Sequence, residues 1–195
     1  MSDFTAIRGV TLTLQNLLKT HITDSTEPQL SGVAIELESP KEMREKELSG
    51  ISLWLYRVNR NDHALNYPPP RVASDQHAHR PLPLNLHYLI APITDNHKSA
   101  QALLGRVIQV FNDHAILRGS DLQDSLEGGR EKLALTLEAL SLEDQAQVWN
   151  ALQQAYQLSI CYMVQMVTID SDREPVQRPP VVTSQTKYAQ ILEVR

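Results

Sequence analysis

Between Gly50 and Pro92 two alternating segments flank a long polar connection, and no other feature restricts the possible folds of this chain so strongly. The first segment, GISLWLYRVNRN, puts Ile51, Leu53 and Leu55 on one side and Ser52, Trp54 and Tyr56 on the other. The second, LPLNLHYLIAPI, puts Leu82, Leu84, Leu86, Tyr88 and Ile90 on one side, with Asn85 and His87 among the residues opposite. A period of two marks each as a strand with distinct faces. The connection begins RVNRN, contains YPPPR and continues into a polar, proline-bearing spacer. Such an arm between two core strands suits reaching a neighbour and offers no nucleophile, phosphate cradle or metal cage.

The flanking sequence supplies helices and further strands. Ser2 and Asp3 are N-cap residues for a first helix whose Phe4, Ile7, Val10, Leu14, Leu17 and Leu18 recur at helical spacing, fading over Thr20 to Thr26. Val33, Ile35 and Leu37 alternate with Ala34, Glu36 and Glu38, a strand with one wet face; PKEMREKELSG then reads as a charged connection. Asp95 or Asn96 caps a helix carrying Ala100, Leu103, Leu104, Val107, Ile108 and Phe111, which ends near Asn112 and Asp113. LRGSDLQDSLEGGREK reads as loop, and KLALTLEAL as a strand with Leu133, Leu135 and Leu137 on one face. Ser141 and Asp144 form a capping-box-like start for a short helix bearing Val148, Trp149 and Leu152. YQLSICYMVQMVTID closes the pattern as a long strand with Leu158, Ile160, Tyr162, Val164 and Met166 on one face. The fold class is therefore α+β: a mainly antiparallel sheet of about five strands flanked by two or three helices. Residues 1–170 form one domain. Residues 171–195 form an extended tail with Pro175, Pro179 and Pro180 and no helical face.

Composition closes off several function classes. At 195 residues the chain buries enough surface to fold without disulfides or metal. A single cysteine, Cys161, precludes a disulfide within the chain, and its apolar setting in LSICYMVQMV makes it a small buried hydrophobe. A net charge of −5 with no Lys/Arg stripe argues against nucleic-acid binding. The first residues lack a basic flank followed by an unbroken apolar run, and no later segment approaches membrane-spanning length, so synthesis and assembly in the cytoplasm are expected.

Side-chain chemistry is sparse. Six of the seven histidines lie between His63 and His114, and His77 and His79 are spaced to offer two imidazoles to a metal if extended. They lack a carboxylate or thiolate partner at ligand-motif spacing, so no metal site is assigned. Glu36, Glu38, Glu42, Glu45 and Glu47 fall on a wet face and a charged connection rather than in an apolar cleft. No G-x-S-x-G elbow is present, and LEGGR is a glycine turn, too short for a phosphate loop. No catalytic or cofactor-binding residue is assigned. Interface candidates are Arg57, Asn59, Arg60 and Asn61, where the chain leaves the sheet, and Tyr67 and Arg71, which flank a stiff proline run. In the tail, Val181 and Val182, and Ile191 to Val194, are able to pair as edge strands.

Five blocks occur in the order found in one known family: IRGVTLTLQNLL, ISLWLYRVNRNDHALNYPPPR, PLPLNLHYLIAPI, LGRVIQVFNDHAIL and WNALQQAYQLSICYMVQMVTID. The chain resembles the cap proteins, or tail terminators, of phage-tail-like contractile injection systems, from about Asp3 to Asp170 and on into the Pro-Val-Val segment. The resemblance implies a homohexameric ring at the end of the particle opposite the baseplate, closing the inner tube and the sheath and stopping their polymerisation. It implies self, inner-tube protein and sheath protein as partners, no cofactor and no catalytic motif. The particle would be released or anchored. Sheath subunits of such machines exchange strands, so the tail, with Val181 and Val182 or Ile191 to Val194, is expected to pair with an open sheath edge. Two other readings stay open on the residues alone: a small metal-dependent enzyme using the loop histidines, and a monomeric adaptor that binds a peptide by strand addition.

Overall fold

The computed structural model describes residues 3–66, 71–73, 76–77, 79–129, 131–174 and 176–177; at 66, 71–73, 76–77 and 176–177 the description is of the backbone alone. Helix α1 (Ala6–Leu18) runs on through one wider π turn, Lys19–Thr23. Buried Ala6, Val10, Leu14, Leu18 and Ile22 recur every four residues, and burial of this row holds the π turn in line with the helix. The helix starts later than its caps suggested. Asp3 accepts the Thr5 N–H, and Phe4 lies 82% exposed rather than on the apolar face.

Strand β1 (Ile35–Glu36) is shorter than the alternation of 33–38 implied. The supposed charged connection after it contains helix α2 (Pro40–Glu45). Ser39 Oγ accepts the Glu42 N–H while Glu42 Oε2 accepts the Ser39 N–H, a reciprocal cap with Pro40 at the first helical position. Strands β2 (Gly50–Arg60) and β5 (Leu82–Ile93) are the two alternating segments. Between them lie a 3₁₀ turn (Asp62–Asn66) and a small hairpin of β3 (Arg71–Ala73) and β4 (Gln76–His77). Helix α3 (His97–Asp113) begins at Asn96, whose Oδ1 accepts the Lys98 and Ser99 N–H groups. The glycine-punctuated stretch expected to be loop contributes β6 (Ile116–Arg118) and two 3₁₀ turns. Then follow β7 (Lys132–Glu138), α4 (Leu142–Ala151), capped by Ser141, and β8 (Ile160–Ile169). Val176–Gln177 form β9.

The main sheet has six strands in the order β1-β2-β5-β8-β7-β6, one more than expected, and all its pairings are antiparallel except β1 with β2. Four α-helices flank it, not two or three, because the cap of α2 sits in a run whose charge density hid it. Helices α1 and α3 bury one face together with Ile51, Leu53, Leu86, Tyr88, Ile90, Tyr162 and Val164. On the other face Met43 of α2, Trp149 of α4 and Leu152, which caps the C-terminus of α4, pack with Leu89, Ala91, Ile93 and Cys161. The near-continuous apolar second half of β5, Tyr88 to Ile93, fits a strand sandwiched between two helical layers.

Two bulges break the period. Leu55 pairs with Tyr88 and Arg57 with His87, so Tyr56 is the extra residue on β2; Leu84 pairs with Val167 and Leu86 with Val164, so β8 carries an extra residue near Met166. Met166 has φ 67° and turns outward at 56% exposure, and Leu158 lies before β8 begins. The uniform inward face expected from Leu158 to Met166 therefore holds only for Ile160, Tyr162 and Val164.

Candidate assembly surface

Alternation in β2 ends at its bulge, and past it the side chains become polar. Arg57, Asn59, Arg60 and Asn61 come together there, at the root of the arm. Arg57 Nε donates to Asn59 Oδ1 at 3.0 Å and Arg60 Nε to Asp62 Oδ1 at 2.6 Å. Both arginines are exposed and each has further N–H groups for another partner. Asn61 is engaged inwardly instead: its backbone N–H donates to Pro83 O at 2.9 Å, its Nδ2 to Asn85 Oδ1 at 3.0 Å, and its Oδ1 accepts the Ala64 N–H at 3.3 Å. Asn61 thus sutures the outgoing strand to the returning one and starts the 3₁₀ turn. Arg80 Nη1 donates to Leu65 O at 3.1 Å, closing the arm's base from the other side.

The remaining candidates are distributed differently. Arg71 opens β3 and its backbone pairs with His77. Tyr67, Val181, Val182, Ile191 and Val194 lie outside the described residues. Sequence reasoning did not single out Asn85, although an amide in the middle of an apolar strand is the sign of a polar stitch. It also did not anticipate β9, which pairs antiparallel with β4 in the register Gln76↔Gln177 and His77↔Val176. The arm and the start of the tail therefore form one three-stranded unit, in the order β3-β4-β9.

Inward of the arm, the sheet face shared with α2 and α4 carries a buried polar contact. His87 is 6% exposed, and its Nδ1 donates to the Glu138 carboxylate at 3.0 Å from each oxygen. An ionised carboxylate only accepts, so Nδ1 carries the hydrogen; Nε2 is buried without a hydrogen-bond partner. The Tyr56 ring stands edge-on to His87 at 6.2 Å. Burial raises the Tyr56 phenol, and burial pushes the Cys161 thiol up to about 11. His87 and Cys161 are buried within the sheet. Among the described residues no group of three or more His, Cys, Asp or Glu side chains is placed to hold a metal ion. Among the same residues no helix is long and apolar enough to cross a membrane.

On its outer side β2 pairs with a described strand over only part of its length. Strand β1 lies alongside Ile51 and Ser52 only, and no described strand pairs with Leu53 to Arg60 on that side. Val58 is 43% exposed there, an apolar residue on an unpaired edge. An edge of this kind is a template for another strand.

No curated protein matches the chain in sequence. Solved structures match it in fold. One is the PVC sheath/tube terminator, in the extended state, of an extracellular contractile injection system: TM-score 0.63, 17% identity, 100% of this chain and 67% of that one covered. Another is the anti-feeding prophage cap, described as the AFP tube terminating cap: TM-score 0.61, 17% identity, 92% of this chain and 60% of that one covered. The chain thus spans about two thirds of the length of these proteins. A family profile described as the Pvc16 N-terminal domain matches residues 9–183, taking in both bulged strands, the arm and β9, and the chain belongs to that family.

Proposed function

We propose that this protein is a structural terminator. It forms a homohexameric ring at the baseplate-distal end of a contractile injection particle and ends inner-tube and sheath polymerisation there. The observation that carries the reading is the family match over residues 9–183, joined to a shared fold with two proteins described as terminating caps. The molecule's own features agree with an assembly role: a connection stitched at its root by Asn61 and Asn85, and exposed arginines with further donors beside it.

A closed ring of identical subunits needs two different patches on each, one for either neighbour. The arm with Arg57, Asn59, Arg60, Asn61, Tyr67 and Arg71 serves as one patch, and the surface opposite it as the other. Inner-tube and sheath subunits meet the two rims of the ring. The protein is made in the cytoplasm and ends as part of the particle. It has no catalytic step, and removing the His77 and His79 imidazoles together leaves capping intact. Neither the metal-dependent enzyme nor the monomeric adaptor draws support from a specific contact described above.

Native mass measurement of purified protein, alone and with inner tube added, tests the reading. A ring of six, free or on tube ends, is the predicted result. A protein that stays monomeric at micromolar concentration and does not decorate tube ends would contradict it.

A further inference from the structure

We propose that His21 and His114 form an acid-sensitive clasp between the π turn and the end of α3, and that charging His21 loosens the turn and, through it, the edge strand β1. The clasp is a property of the folded chain and holds with or without a ring.

Both helices build it. His21 lies in the π turn that prolongs α1, and His114 caps the C-terminus of α3. Their half-buried rings stand 4.9 Å apart between centroids, inclined at 48°. His114 Nδ1 donates to Val110 O at 2.9 Å, so its ring cannot swing away from His21 without losing that bond. Arg106 is the second tie. Its Nε donates to the His21 carbonyl at 3.3 Å, an acceptor of the kind that a helix end leaves unpaired, and its Nη1 donates to Gln109 Oε1 at 2.9 Å. Arg106 and Asp113 of α3, together with His114, are the groups whose charge bears on His21. Lys19 and Asp24 are the nearest charged residues in its own stretch of chain. Burial, the His114 ring and Arg106 hold His21 below the usual histidine range, and Asp113 works against them.

The turn in turn supports β1. Thr23, its last residue, accepts the Gly32 N–H on its carbonyl at 2.9 Å and donates its hydroxyl to Val33 O at 2.6 Å. Gln15 Nε2 of α1 donates to Ile35 O at 2.7 Å. Ala34 O, between these two contacts, accepts the Ile51 N–H at 2.8 Å and so sets β1 beside β2. Ile22 is fully buried and keeps the turn on the core, so charge on His21 releases the local hold on 19–36 and leaves the rest of the fold in place. An imidazole that takes a proton more readily once the clasp opens favours the open form in acid. The hold is complete above about pH 6.5, the ordinary histidine value, and is lost progressively as pH falls below it towards the lowered value of the closed clasp.

Amide exchange of the full-length protein at about pH 7.5 and about pH 5, each corrected for the intrinsic rate at that pH, tests this. Protection over 19–36 should fall by about threefold or more relative to that over 84–91. His21→Gln, which cannot charge, should abolish the fall. An equal fall in that variant, or none in the unsubstituted protein, would overturn the proposal. Should His21→Gln be loose at both pH values, His114→Gln decides: it keeps the His21 ring and removes its titratable neighbour, so the fall shrinks, and an undiminished one overturns the proposal. Proton NMR titration of the His21 ring gives a readout that packing alone would not move. Its midpoint should lie below the ordinary histidine value and rise in His114→Gln; a midpoint at or above that value in the unsubstituted protein removes the clasp.

Discussion

Gly50→Ala should be among the most damaging single-atom changes available in this fold. Gly50 has φ 138°, and a Cβ built there would stand 2.3 Å from Ala34 O. That same carbonyl accepts the Ile51 N–H at 2.8 Å, the bond that sets β1 beside β2. Accommodating the methyl means moving Ala34, which breaks that bond and loosens the parallel pairing of Ile35 and Glu36. Holding an alanine in a backbone region reserved for glycine costs about 1–3 kcal/mol, and the lost bond about 1 kcal/mol. Restricting the unfolded chain returns roughly 0.4–1 kcal/mol, so a net loss of about 1–3.6 kcal/mol remains. With a urea slope of about 2 kcal/mol/M, the midpoint should fall by roughly 0.5–1.8 M at unchanged slope. Urea titration followed by tryptophan fluorescence measures it, since Trp54 and Trp149 report on the same side of the sheet. A midpoint within about 0.3 M of the parent would refute the claim that β1 is fixed through this close approach.

Three further outcomes follow from named contacts. Asn61→Ala removes a donor and an acceptor at the arm's root; it should lower global stability by about 1–2 kcal/mol yet abolish ring formation in native mass spectra, and a cycle with Asn85→Ala should show coupling of about 1 kcal/mol between the two. Phe111→Ala deletes a fully buried ring that stands edge-on to Tyr162 at 4.8 Å and should cost about 3–5 kcal/mol in denaturant titration. The Cys161 thiol, pushed up to about 11 chiefly by burial, should react with a thiol reagent at pH 8 about two orders of magnitude more slowly in the native protein than in urea; equal rates would mean that the α4 side of the sheet is open.

What the sequence disclosed and what it hid divide along physical lines. Strands β2 and β5 were legible from their length and their apolar inner row, although β5 is buried on both faces by different helical layers and so carries apolar residues on each. Helices α3 and α4 were legible from Asn96 and Ser141, which cap them as their positions implied. Helix α2 was passed over although Ser39, Pro40 and Glu42 spell a start signal, because six residues are too few for an apolar stripe and only Pro40 and Met43 are buried in it. The bulges at Tyr56 and near Met166 leave no mark in a pattern of apolar and polar letters; they answer to pairing across the sheet. For the assembly surface, the sequence singled out the polar cluster after β2, but Arg57 and Arg60 face out while Asn61 is a stitch that faces in. The partner of that stitch, Asn85, and the pairing of β9 with β4 depend on contacts between distant segments, which no local window contains.

If this protein ends a tube, its loss must change the particle. Electron cryomicroscopy of particles assembled with and without it measures that change. With the protein, tubes and sheaths should be of uniform length and closed at the baseplate-distal end by a sixfold ring, each subunit fitting the six-stranded sheet with its arm towards a neighbour. Without it, tubes should be of variable, extended length with open distal ends. Particles of unchanged length carrying the same terminal density in its absence would rule out tube termination by this protein.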